Sequence, residues 1–459
     1  MAVPGLEEPN ACQDVRPTDK GRLPFPLQHW KHPPVPDRLT QSSRVQYAGP
    51  MSNNAGHRAD ELPRGPLADL RVLELGTLIA GPFAGRLFAD FGAEVIKIEH
   101  PDRGDPLRSW GMSWDGTDSL WHLIQSRGKL SVTADLHDPE DQDFVRRLAM
   151  ESDILVENFR PGRLEAWNLD PEDLMAANPE LIVVRISGFG QTGPLSDQPA
   201  FGTIAEAAAG LRFITGEADR PPGRVGLSLG DSIASLHAVI GAFVALHERQ
   251  TSGRGQMVDV ALTESTFAML EGILPEYAYH GAIRQRTGNI AHNSAPTNAY
   301  PCADGSMVCI AANTTGLFRT LFSILDRHDL VDDPTLATNE GRVARDEELD
   351  EAIASWTITR DADEVVAILR KQQVPVSRIN SIADIASDPQ FRARDVIVEV
   401  EDDRLERPLL VPGVIPRLSR TPGAVPTLAQ ELGAATNQVR SRVEEAAESK
   451  RQVSRRGVG

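Results

Sequence analysis

Short apolar runs alternate with amphipathic stretches from Leu67 to about residue 190. The runs have the length of buried strands and lie at 70–75, 93–99, 128–136, 153–159 and 181–190. The segments between most of them repeat apolar residues at helical spacing. Because strands that alternate with helices form parallel sheets, the pattern predicts an α/β fold with a doubly wound parallel sheet. In such folds, ligands bind beyond the carboxyl ends of the strands.

A later stretch has the clearest helical pattern in the chain. Its bulky apolar residues recur at helical spacing, which predicts one buried helix face formed by Ile233, Leu236, Ile240, Phe243 and Val244. Asp231 precedes this face at the predicted N-cap, where its carboxylate can accept hydrogen bonds from the first turn. The helix dipole favours a negative charge there, so we expect Asp231 to stay ionised. Taken alone, such an aspartate is most simply a helix cap.

The pattern changes near Thr287. Residues 299–313 alternate in polarity around Asp304-Gly305, which is typical of a β-hairpin, and amphipathic helical stretches follow. We therefore predict five regions: an extended, partly disordered arm, a large domain, a small α+β domain, a C-terminal return to the large domain and a polar tail. These regions cover residues 1–65, 66–285, 286–390, 391–440 and 441–459.

Composition excludes several classes of function. The 459-residue chain has a net charge of −18, which argues against nucleic acid and anionic membrane as partners. Its three cysteines lack metal-ligand spacing, so we expect a reducing, cytoplasmic location without disulfides or a metal site. No apolar run approaches the roughly 18 residues that a membrane span needs, and no signal peptide is visible.

The glycines after the first strand do not form a nucleotide-binding signature. Gly76 and Gly81 match neither the G-x-G-x-x-G pattern of dinucleotide-binding folds nor a P-loop. A nicotinamide-dependent dehydrogenase is therefore disfavoured.

Six segments between about residues 67 and 422 together resemble the class III CoA-transferase family, which includes formyl-CoA transferase and carnitine CoA-transferase. They are LRVLELGTLIAGPFAGRLFADFGAEVIKIEHPDRGDPLR, SRGKLSVTADL, ILVENFRPG, GFGQTGP, LGDSIASLHAVIGAFVAL and SGRGQMVDVAL. Each segment is weak alone, and their common order and spacing make the combination specific. The resemblance implies a Rossmann-like large domain, a smaller domain and a homodimer of interlocked chains.

The resemblance also implies the chemistry. The nucleophilic aspartate of the family lies in an LGDS motif, which falls here on residues 229–232 and assigns that role to Asp231. Asp231 would attack an acyl-CoA thioester and then carry CoA as an aspartyl thioester before a carboxylic acid acceptor takes it. CoA and acyl-CoA are then substrates, with no tightly bound cofactor. Succinate and related short acids are the expected acyl groups by analogy with the family.

The resemblance implies that CoA binds at the first strand-to-helix loop and in the pocket beside it. The residues implied in this way are Thr77, Leu78, Ile79, Ala80, His100, Asn158 and Phe159. Basic residues in the same loops are candidates to hold the CoA phosphates, namely Arg103, Arg108, Lys129, Arg160 and Arg163. Each of these basic residues is equally well explained as a salt-bridge partner, and only the group favours the ligand.

The chain departs from the family pattern at one segment. Many members carry an acidic residue where this chain has Gly202, and Glu206 follows one helical turn later, where we expect it to be solvated. Phe201 and Gly202 do not supply the His-Asp pair of the racemase branch, which weighs against an acyl-CoA racemase. A CoA-binding protein without chemistry is the remaining alternative, and an intact Asp231 weighs against it.

A second departure concerns the loop at 288–302. Some transferases cover the active site with a glycine-rich loop, and this segment is not glycine-rich. His292 and Asn293 in it are candidates to contact the acyl group, although a single histidine in a loop is more often solvated.

Overall fold

The computed structural model describes residues 65–114 and 118–456, with side chains described up to residue 448. The arm predicted for residues 1–65 lies outside this part of the chain, apart from Gly65.

A six-stranded parallel sheet forms the centre of the large domain, as predicted. Its strands β1 to β6 are Arg71–Glu74, Glu94–Glu99, Lys129–Thr133, Ile154–Glu157, Ile182–Ser187 and Met257–Ala261. They lie in the order β3-β2-β1-β4-β5-β6, and Leu73 in β1 pairs with Ile96 of β2 and Leu155 of β4. The order reverses between β1 and β4. In open parallel sheets, such a switch point opens a crevice for ligands beyond the carboxyl ends of the strands.

Nine helices precede the second domain in the described part of the chain. Helices α1 to α9 are Ala80–Asp90, Leu120–Gln125, Pro139–Ala149, Arg163–Ala166, Pro171–Ala177, Gly202–Ala208, Leu229–Ser252, Leu262–Phe267 and Ile273–His280, with a 3₁₀ turn at Pro106–Ser109. Helices α1, α6 and α7 pack on one face of the sheet, and α3 packs on the other. The sheet is therefore covered on both faces, which explains its near-continuous apolar strands.

The buried face of α7 is not the one that the sequence predicts. Its buried residues are small, namely Gly230, Ala234, Ser235, Ala238, Ala242 and Ala245. The bulky residues predicted to be buried are largely exposed, with exposures of 47% for Leu236, 58% for Ile240 and 62% for Val244. The reason is the close approach of α7 to the sheet: a Cβ at Gly241 would lie 2.5 Å from Val258 Cγ1.

Helix α7 is also the one described helix that is long and apolar enough to cross a membrane, judged by length and composition alone. The core helix of a soluble protein can meet the same criterion, so this is weak support for a membrane span. The helix escapes a search for uninterrupted apolar runs because serine and histidine residues divide it.

The second domain has its own core. Strands β7 to β9 are Thr297–Pro301, Met307–Ala311 and Val376–Arg378, and they form an antiparallel sheet that contains the predicted hairpin. Helices α10 to α14 surround it and are Thr315–Ile324, His328–Val331, Asn339–Val343, Asp346–Thr357 and Ala362–Lys371, with a 3₁₀ turn at Pro334–Leu336. Tyr300, Phe318 and Phe322 lie at the centre of this core.

The remaining described residues contact α2, α3 and β3. Helices α15 and α16 (Ile382–Ser387, Pro389–Ala393) lead to the antiparallel pair β10 and β11 (Ile397–Val400, Leu409–Pro412). The final helix α17 (Thr436–Arg456) replaces much of the predicted polar tail. Val439 and Val443 are buried against β3 and α3, and Arg442 pairs with Glu94 at 2.7 Å. The tail is thus amphipathic, with an apolar stripe too sparse to stand out among its charges.

Candidate active site

Asp231 lies in the first turn of α7. The helix begins at Leu229, three residues earlier than predicted, and the Ser232 amide donates to the Ser228 carbonyl. Asp231 is therefore the third helical residue, and Ser228 occupies the N-cap position without a side-chain cap. The carboxylate is thus near the positive end of the helix, as expected, but it is not the N-cap.

The environment of Asp231 disfavours its charge. Burial and, to a smaller extent, the charge of Glu206 together raise the pKa of Asp231 from 3.8 to about 6. This is the opposite of what the helix dipole alone predicts, because loss of water outweighs the dipole at a part-buried site. A pKa near 6 still leaves roughly nine-tenths of the carboxylate ionised at pH 7.

Glu206 is buried, which corrects the expectation that it is solvated. Its side chain is 1% exposed on α6, and its Oε1 accepts a hydrogen bond of 3.2 Å from the Gly230 amide, the residue before Asp231. Gly202, one turn earlier on α6, faces the carboxylate itself. A Cβ at this position would lie 2.0 Å from Asp231 Oδ2. Helix α6 therefore supports the turn that carries Asp231.

The loop between β1 and α1 meets α7 at the same place. Ser235, one turn after Asp231, has its hydroxyl 2.8 Å from the Ala80 carbonyl and 2.7 Å from the Asp231 carbonyl. Helix α1 follows β1 and helix α7 leads into β6, and both run back along the parallel sheet, so both begin at its carboxyl edge. The loop predicted to bind CoA and the predicted nucleophile are therefore neighbours.

Polar side chains fix the backbone of this loop. Asn158 accepts from the Thr77 amide at 2.8 Å and donates to the Thr77 carbonyl at 2.9 Å. The Leu78 amide donates to the Asp105 carboxylate at 3.0 Å, and Leu78 has a left-handed φ of 64°. Because a left-handed φ is unfavourable for leucine, these bonds hold a conformation that the chain would otherwise leave.

A buried ion cluster lies beneath the loop. Lys97 Nζ lies 2.9 Å from Glu74 Oε1, 2.8 Å from Asp105 Oδ2 and 3.0 Å from the Gly76 carbonyl. Lys129 Nζ lies 2.7 Å from Glu74 Oε2 and donates to the Pro82 carbonyl. These residues are at most 2% exposed, so the cluster forms part of the frame of the site.

Two of the five basic residues proposed for the CoA phosphates are part of this frame. Arg108 forms a two-point contact with Glu99 at 2.7 and 2.8 Å and a further pair with Asp118 at 2.9 Å. Lys129 is buried with its ammonium group bonded to Glu74 and to the Pro82 carbonyl, and burial lowers its pKa to about 8. The structure therefore gives Arg108 and Lys129 structural partners in place of phosphates, which corrects the sequence interpretation.

The other predicted contacts remain near the carboxyl edge. Arg103 and Arg160 are exposed in the loops that follow β2 and β4, and Arg163 is exposed as the first residue of α4. His100 directly follows β2 and accepts a hydrogen bond from the Asp102 amide, and Phe159 packs edge-on against Trp167 with 5.0 Å between ring centres. His292 and Asn293 are exposed.

Four residues of the site were not singled out for these roles by the sequence analysis. Asp105 and Ser235 hold the loop as described, Gln125 Nε2 donates to the Ile79 carbonyl at 3.1 Å, and Glu206 supports Gly230. Ser235 follows Asp231 at helical spacing and was detectable in principle. The others act across gaps of 24 residues or more, which no local pattern reports.

Comparison with known proteins identifies the family. The model of CoA-transferase family III matches residues 67–436. Succinyl-CoA–D-citramalate CoA-transferase of Chloroflexus aurantiacus is 48% identical over 375 residues, which cover 82% of this chain and 93% of that protein. Succinate–glutarate CoA-transferase of Agrobacterium fabrum is 36% identical over 387 residues, which cover 83% and 96%.

Solved structures agree with these sequence matches. The crystal structure of a CAIB/BAIF family protein from Brucella suis superposes with a TM-score of 0.75 at 33% identity, covering 83% of this chain and 100% of that chain. With the parallel sheet, the LGDS motif on α7 and the adjoining loop, these matches establish that the chain belongs to the class III CoA-transferases and is an enzyme of that family.

Proposed function

We propose that this enzyme transfers CoA from succinyl-CoA, or a similar short acyl-CoA, to a short dicarboxylic or hydroxy acid, with Asp231 as the covalent nucleophile. The names of the relatives support the substrate class. The observation that carries the nucleophile is the position of Asp231, a part-buried carboxylate joined through Ser235 to the loop at Thr77–Ala80.

The reaction begins when an Asp231 oxygen attacks the thioester carbonyl. The C–S bond breaks, and a mixed anhydride and CoA thiolate result. The thiolate then attacks the Asp231 carbonyl, so that the acyl group leaves as a carboxylate and an aspartyl-CoA thioester remains. The acceptor carboxylate attacks this thioester and repeats the two steps in reverse, which frees Asp231 and releases the new acyl-CoA.

Anhydride and thioester intermediates require a site with little water. The low exposure of the turn that carries Asp231 supports this requirement, with Gly230 buried and Glu206 behind it. Backbone amides at the starts of α1 and α7 are suited to stabilise the oxyanions that form during each attack.

For CoA itself we propose contacts with the loop at 77–80 and with His100, Asn158 and Phe159. Arg103, Arg160 and Arg163 are exposed at the same edge and are the proposed phosphate contacts. This set leaves out Arg108 and Lys129, whose charges are already compensated.

We also propose that the enzyme is a cytoplasmic homodimer. The exposed bulky face of α7 supports a second chain as its cover, since exposed apolar surface of this extent marks interfaces. Free thiols at Cys302 and Cys309 fit a reducing compartment. Light scattering at micromolar concentration should give twice the chain mass, and a monomer mass would refute the dimer.

The nucleophile is tested by trapping. The protein is mixed with succinyl-CoA, hydroxylamine is added, and peptides are analysed by mass spectrometry. Hydroxylamine displaces CoA from an aspartyl thioester, so a hydroxamate should form at Asp231. The Asp231→Asn variant is the matched control and should remain unmodified. Absence of the adduct in the wild type, repeated with acetyl-CoA and longer acyl-CoAs, would refute covalent transfer through Asp231.

A further inference from the structure

Helix α6 meets the turn that carries Asp231 through two residues one helical turn apart. Gly202 leaves room for the Asp231 carboxylate, which lies where a side chain at position 202 would be. Glu206 lies behind it and bonds to the Gly230 amide. The two positions act on different parts of the same turn, one on the carboxylate and the other on the backbone that precedes it.

The charge of Glu206 is only weakly compensated. Arg212 is the one cation within ion-pair distance of it in the described residues, and Arg212 Nε lies 4.0 Å from Glu206 Oε2, beyond hydrogen-bond length. Arg212 is also directed elsewhere, since its Nη2 donates to Thr203 on the outer part of α6. A second buried carboxylate therefore stands beside Asp231 with most of its charge unshielded.

In the part of the chain that the structure describes, the other elements around this turn contribute no charge to the Asp231 carboxylate. Helix α8 presents Thr266, whose Oγ1 would lie 3.1 Å from a Cβ at Gly230, and its acidic residue Glu264 is exposed. The β1–α1 loop presents the Ala80 carbonyl, which Ser235 contacts. Glu206 and Arg212 are thus the titratable groups that face the turn.

We propose that Glu206 is a positioning residue for the nucleophile, which holds the Gly230–Asp231 turn through its hydrogen bond and drives Asp231 towards its covalent intermediates through its charge. The proposal rests on the proposed role of Asp231.

The charge acts on the free enzyme and not on the intermediates. In the free enzyme, two carboxylates repel each other at a buried site. When Asp231 becomes an anhydride or a thioester, its negative charge is gone and the repulsion ends. An interaction that raises the energy of the starting state alone lowers the barrier to the step that removes it. The elevated pKa of Asp231 fits this arrangement, since a more basic carboxylate is a stronger nucleophile.

Two substitutions separate the charge from the hydrogen bond. Glu206→Gln keeps an oxygen that can accept from the Gly230 amide and removes the charge, and Glu206→Ala removes both. Glu172→Gln on α5 is the matched control. It is also an acid-to-amide change, and Glu172 is exposed and lies outside the site. For each variant, kcat/KM is measured from pH 4 to 8 with succinyl-CoA and one fixed acceptor.

We expect the acidic limb of the Glu206→Gln profile to move to lower pH, with kcat at pH 7 reduced about tenfold. Titration of the substrates is the same for every variant, so the difference between profiles reports the enzyme. Glu206→Ala should show the same shift and a larger loss of kcat. An acidic limb that stays in place in Glu206→Gln would overturn the proposal, even if Glu206→Ala fails to fold.

The trapping experiment keeps the two proposals apart. If wild-type Asp231 forms the hydroxamate and Glu206→Gln has an unchanged profile, Asp231 is the nucleophile and Glu206 has no role in tuning it. If wild-type Asp231 is never trapped, the proposed function fails first, and the proposal for Glu206 fails with it.

Discussion

Two groups of buried carboxylates lie at the same edge of the sheet, and they differ in how far nearby cations compensate their charge. Beneath the β1–α1 loop, Lys97 lies within 2.9 Å of carboxylates from both Glu74 and Asp105. At the α6–α7 contact, Arg212 is the one cation in the described residues within ion-pair distance of Glu206, at 4.0 Å, and no cation pairs with Asp231 there. The first group has its charge balanced, and the second does not.

The pKa directions follow this difference. Burial works against the ionised form of Asp105, but the charge and hydrogen bond of Lys97 outweigh it and hold the pKa of Asp105 below its usual value. Burial also opposes ionisation of Glu99, yet Arg108 and Lys97 lower its pKa to about 2. For Asp231, burial and the charge of Glu206 both raise the pKa, to about 6. The balanced acids hold the loop in place, while the unbalanced one has the raised pKa that is typical of functional carboxylates and fits the role proposed for Asp231.

The largest effect should come from breaking the balanced group. Lys97→Met leaves the buried Asp105 without an ion-pair partner in the described residues, while Glu74 keeps Lys129, so the free energy of unfolding at pH 7 should fall by about 3–5 kcal/mol. Chemical denaturation measures it. The deficit should shrink as the pH is lowered, because protonation neutralises the acids that Lys97 no longer compensates.

An exposed pair provides the control for this prediction. Arg147 pairs with Asp143 on α3, and both side chains are more than 40% exposed. Arg147→Met should cost less than about 1 kcal/mol. Equal losses in the two variants would mean that the buried cluster contributes no more than a surface pair.

A smaller effect of opposite sign is expected at the unbalanced group. The folded-state pKa of Asp231 is about 6, above its unfolded value of 3.8, so ionisation of Asp231 destabilises the fold above pH 6 and not below pH 4. Asp231→Asn should therefore stabilise the protein by about 1–3 kcal/mol at pH 7 while abolishing transfer. The gain should vanish as the pH falls from 6 to 4. A variant that is less stable than the wild type at pH 7 would contradict this.

The smallest effect is expected from Gly202→Ala, which changes the shape of the site without changing its charge. Gly202→Ala places a methyl group where Asp231 Oδ2 now lies, so the carboxylate must turn away. We expect kcat to fall about tenfold with little change in stability, since a displaced nucleophile mainly affects the reacting geometry. Gly316→Ala on α10 is the control, because its Cβ would enter open space. Wild-type turnover in Gly202→Ala would show that the position of the carboxylate is not critical.

The sequence predicts the frame of the fold well and its contacts poorly. Strands such as 70–75 and 93–99 were found because a strand buried on both faces is apolar throughout. The orientation of α7 was predicted wrongly, because the pattern identifies a bulky face and does not say whether the sheet or another surface covers it. Small residues such as Ala238 take the place against the sheet since they permit a shorter distance.

The sequence likewise predicts some residues of the candidate site and misses the contacts of others. Asp231 was found from its motif and from its place at the start of an apolar helix. Glu206 was missed because its own segment is that of an ordinary surface helix, and its burial arises from the packing of α6 against α7. Lys129 was assigned to a phosphate because its partner Glu74 is distant in sequence, and Arg108 because no local pattern reports that the loop after β2 folds back onto Glu99.

The hydrogen bonds of the Ser235 hydroxyl affect how an anionic ligand is attracted to the site. By joining Ala80 to the first turn of α7, it brings the starts of two long helices to one corner. Each helix start carries about half a positive charge, and the two fields add where they meet. The exposed Arg103, Arg160 and Arg163 lie at the same edge, and together with the two helix starts they counter the charges of Asp231 and Glu206 in a chain with a net charge of −18. A polyanionic molecule such as CoA would then be guided by the surrounding field to the corner where it reacts, and added salt should slow its capture more than its chemistry.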